Sequence, residues 1–304
     1  MELALLSGKQ VVAVLVIMLF GVICAKTKIL DREVNKRLSD LLLNIVSPVV
    51  FLLSYQREYE ARYARNLLIS FGLSMVALLM ACGVAYIMFR KRPNDKRYCS
   101  ERFGAIYGNA GFLGIPLVDG VFGSEGVFYL TAFITAFNLM VWTHGLICMS
   151  GKFDLKSLKK GLLTPSLISI FVGVIMFFCR IRLPEIIKVP LEYVASLNTG
   201  LAMLIAGVSV ASTDFRELVK NGRVFLVCAA RLLICPVLFG LLLMLIPLEP
   251  LLHGTLLLVS ACPCATMIIL FAYRYGGDDL YGTQIFAAST VLCAATIPLV
   301  MLLA

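Results

Sequence analysis

Apolar runs long enough to enter or cross a membrane recur along the whole sequence, separated by short polar or basic stretches. The chain has 304 residues and is 60% hydrophobic and 15% charged, whereas a soluble domain carries about 25% charged residues. Because only helices and closed barrels span a bilayer, runs of this length predict an all-α polytopic membrane protein. No stretch is long enough for a separate soluble domain.

The apolar runs predict ten transmembrane helices. The expected spans are Val11–Ala25, Leu38–Tyr55, Asn66–Phe89, Arg102–Phe122, Val127–Met149, Pro165–Phe178, Leu191–Ala211, Val224–Ile246, Leu251–Tyr273 and Gly282–Leu303. The first run has no small-x-small cleavage site after it, so we expect a retained helix rather than a signal peptide.

The basic residues are distributed unevenly between the loops. Most of the 27 Lys and Arg residues follow the odd-numbered spans, in loops such as 26–37, 90–102 and 152–160. By the positive-inside rule these loops face the cytoplasm, so we expect a multi-pass protein of the cytoplasmic (inner) membrane with both termini outside. The net charge of +9 is explained by this arrangement and does not indicate nucleic-acid binding.

The fourth span contains a stretch that cannot form an unbroken helix. Tyr107–Pro116 carries three glycines, each costing about 1 kcal/mol relative to Ala in a helix interior, and ends in a proline that removes a backbone donor. Irregular backbone at membrane depth occurs only where protein buries it or where it lines a watery cavity. We therefore expect a break at 111–116, with Asn109 beside it.

The ninth span has a matching interruption, at Ser260–Thr266 with Pro263 in its middle. Each break falls in the fourth of five helices, and an odd number of helices per half inverts the second half in the membrane. Broken helices at corresponding positions are typical of inverted-repeat transporters. The sequence therefore predicts two inverted five-helix repeats, residues 1–160 and 161–304, with helices four and nine broken where they cross.

The predicted crossing has the chemistry of an anion site. Helix N-termini carry about half a positive charge each, and Pro116 and Pro263 suit the first turn of a second half-helix. Asn109 adds an amide and Thr266 a hydroxyl between apolar walls, which fits a small organic anion. The predicted substrate-binding residues are Asn109, Gly111, Phe112, Leu113, Gly114, Pro116, Pro263, Cys264, Ala265 and Thr266.

Other polar residues inside the spans have two interpretations each. Arg231 either serves the site or snorkels to the interface. Asn44 either lines the pocket or bonds the carbonyl that Pro48 frees, while Asp119 either couples protons or faces the outer water. The additional pocket or coupling candidates are Asn44, Pro48, Asn138, Asp119 and Arg231.

Two cysteines flank the proline of the ninth span. Cys262 and Cys264 have a spacing that two thiolates holding a soft metal such as Cu(I) would need. Buried cysteine more commonly serves as a small apolar side chain, and no His- or Met-rich entry path accompanies the pair. We favour packing, with a metal carrier as a minor alternative, and assign no metal site.

The stretch Gly108-Asn-Ala-Gly-Phe-Leu-Gly-Ile-Pro116 resembles the fourth-helix motif of the auxin efflux carrier family. The run Pro263-Cys-Ala-Thr, the Ala272–Asp278 stretch and the Ala-Ser-Thr…Ile-Pro pattern of the last helix are similar to the same family. The resemblance covers the whole chain. With no long central loop, the chain looks like the short bacterial members.

This resemblance implies a scaffold of helices 1, 2, 6 and 7, a transport domain of helices 3–5 and 8–10, an elevator-type mechanism and a homodimer. It also implies that Asn109 is the crossover Asn and Pro263 the crossover proline. Bacterial relatives are described as carriers of malonate, malate and other carboxylates. The cysteines beside Pro263 depart from the apolar neighbours usual in the family.

The sequence therefore predicts a secondary transporter of a small organic anion, with no cofactor and with coupling to H⁺ or Na⁺ left open. A sodium-coupled organic-anion symporter of the bile-acid type is the closest alternative. A membrane-embedded enzyme or a sensor is the alternative from another class. With two His in the chain and no motif-spaced pair of intramembrane acids, we expect no enzyme.

Overall fold

The computed structural model describes residues 2–92, 95, 97–152, 154–275 and 277–304. Within these ranges the protein is all-helical and contains no β-strand, only one isolated antiparallel bridge between Gly108 and Cys264. Seven helices in the described part are long and apolar enough to cross a membrane, and two shorter apolar helices accompany them. The chain is a multi-pass, all-α membrane protein.

The first half of the described chain contains eight α-helices. They are α1 (Glu2–Lys26), α2 (Arg32–Leu41), α3 (Ser47–Ser54), α4 (Ala61–Met88), α5 (Arg97–Ile106), α6 (Ile115–Met140), α7 (Leu146–Ser150) and α8 (Leu155–Leu162). Single π-helical turns join α2 to α3, precede α6 and join α6 to α7: Leu42–Val46, Ala110–Gly114 and Val141–Gly145. Inside α6, Gly123 has φ +62°, which interrupts the helix within the predicted connection between the fourth and fifth spans.

The second half contains the other eight helices of the described chain. They are α9 (Pro165–Phe178), α10 (Glu185–Ala211), α11 (Phe215–Lys220), α12 (Gly222–Ala229), α13 (Cys235–Leu243), α14 (Pro250–Ser260), α15 (Met267–Arg274) and α16 (Asp279–Val300). A π-turn, Ala230–Ile234, joins α12 to α13. The sixth predicted span coincides with α9. The first was predicted too short, because α1 continues through the polar pair Lys9-Gln10 to Glu2.

Four aspartates begin helices that follow basic loops. Each accepts a hydrogen bond from a backbone N–H of the first helical turn, which satisfies a donor that has no partner inside the helix. These aspartates are Asp31, Asp154, Asp214 and Asp278. They place the starts of α2, α8, α11 and α16 in loops that follow odd-numbered predicted spans.

Helices α1 and α10 approach each other most closely at two glycines. A Cβ on Gly21 would lie 3.0 Å from the Cα of Gly207, so the two backbones touch. Small residues permit this close packing between membrane helices. Helix α3 packs against α9 and α10, whereas α6 packs against α4 and α14, and α16 packs against α12 and α15. The two broken regions lie next to α6, α14 and α15.

Candidate functional site

The interruption in the first half lies at residues 107–109. Helix α5 ends at Ile106, and the π-turn Ala110–Gly114 then leads into α6. The predicted break at 111–116 was therefore placed too late. The glycines of this stretch fit a widened helical turn, and Pro116 lies in the first turn of α6, where its missing N–H costs little.

The interruption in the second half lies between Ser260, the last residue of α14, and Met267, the first residue of α15. Pro263 was predicted to start the second half-helix, and this is wrong. It lies in the irregular segment between the helices, three residues before Thr266, the N-cap of α15. A proline suits this position because it has no N–H that would need a partner at membrane depth.

The two interruptions are joined by main-chain hydrogen bonds. The N–H of Asn109 donates to the carbonyl of Pro263 at 2.7 Å, and the N–H of Ala265 donates to the carbonyl of Tyr107 at 2.9 Å. The N–H of Cys264 donates to Ser289 Oγ at 3.0 Å. Each irregular segment thus has part of its backbone bonded within the protein, as burial at membrane depth favours.

Arg231 binds the carboxyl-terminal ends of both half-helices. Its guanidinium donates to the carbonyls of Ile106 (3.0 Å), Ser260 (2.6 Å) and Cys262 (2.9 Å), and only 3% of the residue is exposed. It does not snorkel to the interface. Helix C-termini carry about half a negative charge each, so the ends of α5 and α14 together balance one guanidinium.

Gly108 leaves the space that Arg231 occupies. A Cβ on Gly108 would lie 2.8 Å from the guanidinium carbon and closer still to Nη2. By contrast, a Cβ on Gly111 would meet no atom within 4 Å. Gly108 therefore leaves room for the buried Arg231 guanidinium, whereas Gly111 borders open space.

Asn109 forms the amino-terminal side of the crossing. It is 4% exposed, and its Oδ1 accepts the N–H of Phe112 at 3.2 Å, which caps the π-turn. Its Nδ2 has no acceptor among the described residues. Within the same described ranges, no acceptor is bonded to the backbone N–H groups of Gly111, Thr266 and Met267, which lie in the first turns after the two breaks.

The remaining predicted site residues surround these donors. Both segments, 109–116 and 263–266, meet at the Gly108–Cys264 bridge, which brings the two halves of the predicted site together. The partly exposed members are Gly111, Phe112 and Thr266, and the buried members are Leu113, Gly114, Pro116, Pro263, Cys264 and Ala265.

Two predicted pocket asparagines bond to their own helices. Exposed Asn44 donates to the carbonyl of Asp40 at 2.8 Å, so the expectation that it bonds the carbonyl freed by Pro48 is wrong. Asn138 donates to the carbonyl of Ile134 at 2.8 Å. Asp119 is exposed on α6 near Gly123 and makes no hydrogen bond or ion pair with a described residue, which favours the outer-water interpretation.

The two cysteines beside Pro263 make separate contacts. The Cys262 thiol donates to the carbonyl of Leu258 at 3.6 Å, and the Cys264 thiol donates to the carbonyl of Gly104, on α5, at 3.2 Å. No group of three metal-ligating side chains occurs in the part of the chain that the structure describes. The geometry favours helix packing over a metal site.

A buried ion-pair cluster around Glu101 was not predicted from the sequence. The Glu101 carboxylate is fully buried and accepts hydrogen bonds from Arg92 (2.8 Å), Arg223 (2.7 and 2.9 Å) and Tyr281 (3.0 Å). Burial alone would raise the pKa of Glu101, but the hydrogen bonds from Arg223 and Arg92 outweigh burial and hold this pKa below its usual value. Glu101 is an acid in the basic stretch 90–102, directly before the apolar fourth span, and this position is the sequence signal that could have indicated its buried ion pairs.

Open space near the crossing is limited. A cavity of about 10 Å³ lies beside Arg231, between Ser260 and Phe133. A larger cavity of about 470 Å³ lies between α4, α6 and α9 and is lined almost entirely by apolar side chains. None of the predicted site residues lines this larger cavity.

Comparisons with known proteins place the chain in a family. A sequence model of the family described as "Membrane transport protein" matches residues 7–155 and 152–301. An uncharacterized transporter of Methanothermobacter thermautotrophicus is 28% identical over 96% of this chain and 97% of its own length. The uncharacterized transporter MJ1031 of Methanocaldococcus jannaschii is 26% identical over 92% and 93%, and the uncharacterized transporter YfdV of Escherichia coli K12 is 23% identical over 94% of each chain. With its two broken helices and this match along nearly its whole length, the chain belongs to the membrane transport protein family, the auxin efflux carrier family that its fourth-span motif resembles.

Proposed function

We propose that the protein is a secondary transporter that moves a small organic anion, a carboxylate, across the cytoplasmic membrane by alternating access. The observation that carries the proposal is the group of unpaired donors at the crossing: the Asn109 Nδ2 and the N–H groups of Gly111, Thr266 and Met267. Unpaired backbone N–H groups at helix N-termini are a common anion site.

Electrostatics supports the same assignment. The two negative helix ends at the crossing, of α5 and α14, are balanced by Arg231, whereas the two positive ends have no described counter-charge. Two N-termini of about half a charge each leave roughly one positive charge, which one carboxylate neutralises. In a site shielded from water this attraction is stronger than at a surface.

The proposed architecture has ten membrane helices in two inverted five-helix repeats, residues 1–160 and 161–304. The two matches to the family model, which meet near residue 155, and the paired breaks support this division. In the proposed elevator mechanism the bundle that contains the breaks moves against a scaffold built around the α1–α10 contact. We further propose a homodimer with both termini outside and a carrier role without catalysis.

The experiment is a thermal-shift measurement on purified protein across a panel of mono- and dicarboxylates, with and without Na⁺. A ligand that binds only the native state at 100 times its Kd stabilises that state by about 2.7 kcal/mol. We expect at least one carboxylate to raise the melting temperature without Na⁺. A shift that requires Na⁺ would favour the bile-acid type of symporter, and no shift with any carboxylate would contradict the anion site.

A further inference from the structure

His144 lies in the π-turn Val141–Gly145, between two tyrosines from other helices. Its Nδ1 lies 2.8 Å from the hydroxyl of Tyr107, and its Nε2 lies 3.1 Å from the hydroxyl of Tyr86. A π-turn inside an α-helix often occurs at a functional site. Neither the anion site nor the helix crossing uses the His144 imidazole directly.

The hydrogen-bond pattern determines which nitrogen of His144 carries the proton. The Tyr107 hydroxyl donates its one hydrogen to the carbonyl of Met140 at 3.0 Å, so it can only accept from Nδ1. Nδ1 is therefore protonated, and the neutral imidazole accepts a hydrogen bond from Tyr86 at Nε2. A second proton can enter only at Nε2.

Nε2 is on the side of the imidazole that faces away from the core. Tyr86 is 44% exposed, near the end of α4, and the Arg102 guanidinium lies 4.0 Å from its ring centroid. The exposed lysines of the neighbouring α8, Lys156 and Lys159, make no ion pair or hydrogen bond with His144. The titratable and charged groups around the His144–Tyr86 pair are Tyr107, Arg102, Cys82, Cys99 and Cys148. No described carboxylate is among them.

Tyr107 connects the imidazole to the crossing. Its hydroxyl faces His144, while its own carbonyl accepts the N–H of Ala265 in the bridge between the two breaks. A Cβ on Gly145 would lie 3.1 Å from the Tyr107 ring, so the π-turn and the ring are tightly packed. A change in the charge of His144 therefore acts on a residue that holds the proposed anion site together.

We propose that His144 is a proton-binding site through which the carrier couples anion transport to proton movement. A proton from interfacial water adds to the Nε2 lone pair, the Tyr86 O–H···Nε2 bond breaks, and the Tyr86 oxygen turns to accept the new N–H. The imidazolium then donates to Tyr107 through a charge-assisted bond, which is about twice as strong as a neutral one. Release of the Nε2 proton restores the first arrangement. The inference rests on the proposed transport function.

The first test needs no substrate, because it measures the protonation of His144 itself. The chain has two histidines, His144 and His253, so imidazole ¹⁵N spectra of the full-length protein with labelled histidine contain two residues, which His253→Gln assigns. We expect the Nδ1–H tautomer for His144 at high pH and a doubly protonated ring at low pH, with the tautomer preference reduced in Tyr86→Phe. An Nε2–H tautomer, or a His144 ring that does not titrate between pH 4.5 and 8, would overturn the proposal.

The second test measures uptake of labelled malonate and malate into vesicles containing the purified protein. One pH unit of gradient supports about tenfold accumulation by one-to-one proton coupling. We expect this accumulation for wild type and His253→Gln, and exchange without pH-driven accumulation for His144→Gln, because glutamine keeps the hydrogen bonds but cannot titrate. Accumulation by His144→Gln equal to that of wild type would overturn the coupling role. Failure of wild type to move either anion at any pH would count against the proposed function, while the imidazole spectra still test the proton site.

Discussion

Asn109 and Pro263, from opposite halves of the chain, are joined by a main-chain hydrogen bond of 2.7 Å. This bond and its neighbour from Ala265 to Tyr107 tie two irregular segments into one short antiparallel bridge. Arg231 binds the C-terminal ends of α5 and α14 beside this bridge, and the N–H groups of Gly111, Thr266 and Met267 have no acceptor among the described residues.

Replacement of Arg231 should destabilise the protein strongly. In Arg231→Met three carbonyls lose their donor at membrane depth, and each unsatisfied buried group costs about 1–3 kcal/mol. Arg231→Lys keeps the charge, but its ammonium group lacks the planar guanidinium that reaches three carbonyls. We therefore expect an intermediate loss of stability. Thermal unfolding in detergent measures both variants. A melting temperature of Arg231→Met equal to that of wild type would contradict the capping role.

Gly108→Ala should be nearly as damaging, since the added methyl group would overlap the Arg231 guanidinium. We expect a loss of about 1–3 kcal/mol, the range for overpacking. Gly83→Ala on α4 is the matched control, because a Cβ there meets no atom within 4 Å and alanine is the better helix former. Equal unfolding temperatures for the two variants would show that Gly108 has no special role.

Sequence reasoning predicted two breaks that meet, and main-chain hydrogen bonds join the two interruptions, but the positions of the first break and of Pro263 were wrong. Glycine, proline and asparagine at membrane depth indicate a break by themselves, and the paired positions of 107–116 and 260–266 indicate that the breaks meet. The place of Pro263 and the partners of Arg231 depend on contacts between residues far apart in sequence. The bond from Asn44 to Asp40 also could not be predicted, because a polar residue in a helix can bond its own backbone wherever a carbonyl is within reach.

Glu101 should make stability depend on pH in the acidic range. Its pKa is lowered in the folded protein, so the ionised carboxylate stabilises the fold above its unfolded pKa of about 4.3, and this contribution is lost as pH falls through the folded pKa. We expect wild type to lose stability below about pH 4.5 more steeply than Glu101→Gln. At pH 7 the variant should be less stable by about 2 kcal/mol, because hydrogen bonds to charged groups are lost.

The comparison is made by melting temperatures from pH 7 down to pH 4. Asp154→Asn is the control for removal of an exposed carboxylate. Asp154 caps a helix, and hydrogen bonds from Ser157 and Lys156 lower its pKa as well. Parallel curves for wild type and Glu101→Gln would contradict the role of the buried carboxylate.

Removal of both thiols beside Pro263 should leave metal handling unchanged. Cys262 and Cys264 bond to the carbonyls of Leu258 and Gly104, so Cys262→Ala with Cys264→Ala is expected to lower stability by about 1–2 kcal/mol through lost packing. Growth of cells expressing either protein in copper or zinc should not differ. Metal tolerance that depends on the two cysteines would instead favour the metal carrier.

The most direct measurement of the anion site is the carboxylate-induced shift in melting temperature of Asn109→Ser and Asn109→Asp relative to wild type. Serine and aspartate both keep an oxygen that can cap the N–H of Phe112, whereas both remove the free Nδ2 donor, and aspartate adds a negative charge. We predict unfolding temperatures near that of wild type without ligand, a reduced carboxylate shift for the serine variant and none for the aspartate variant. A full carboxylate shift in Asn109→Asp would contradict anion binding at the crossing.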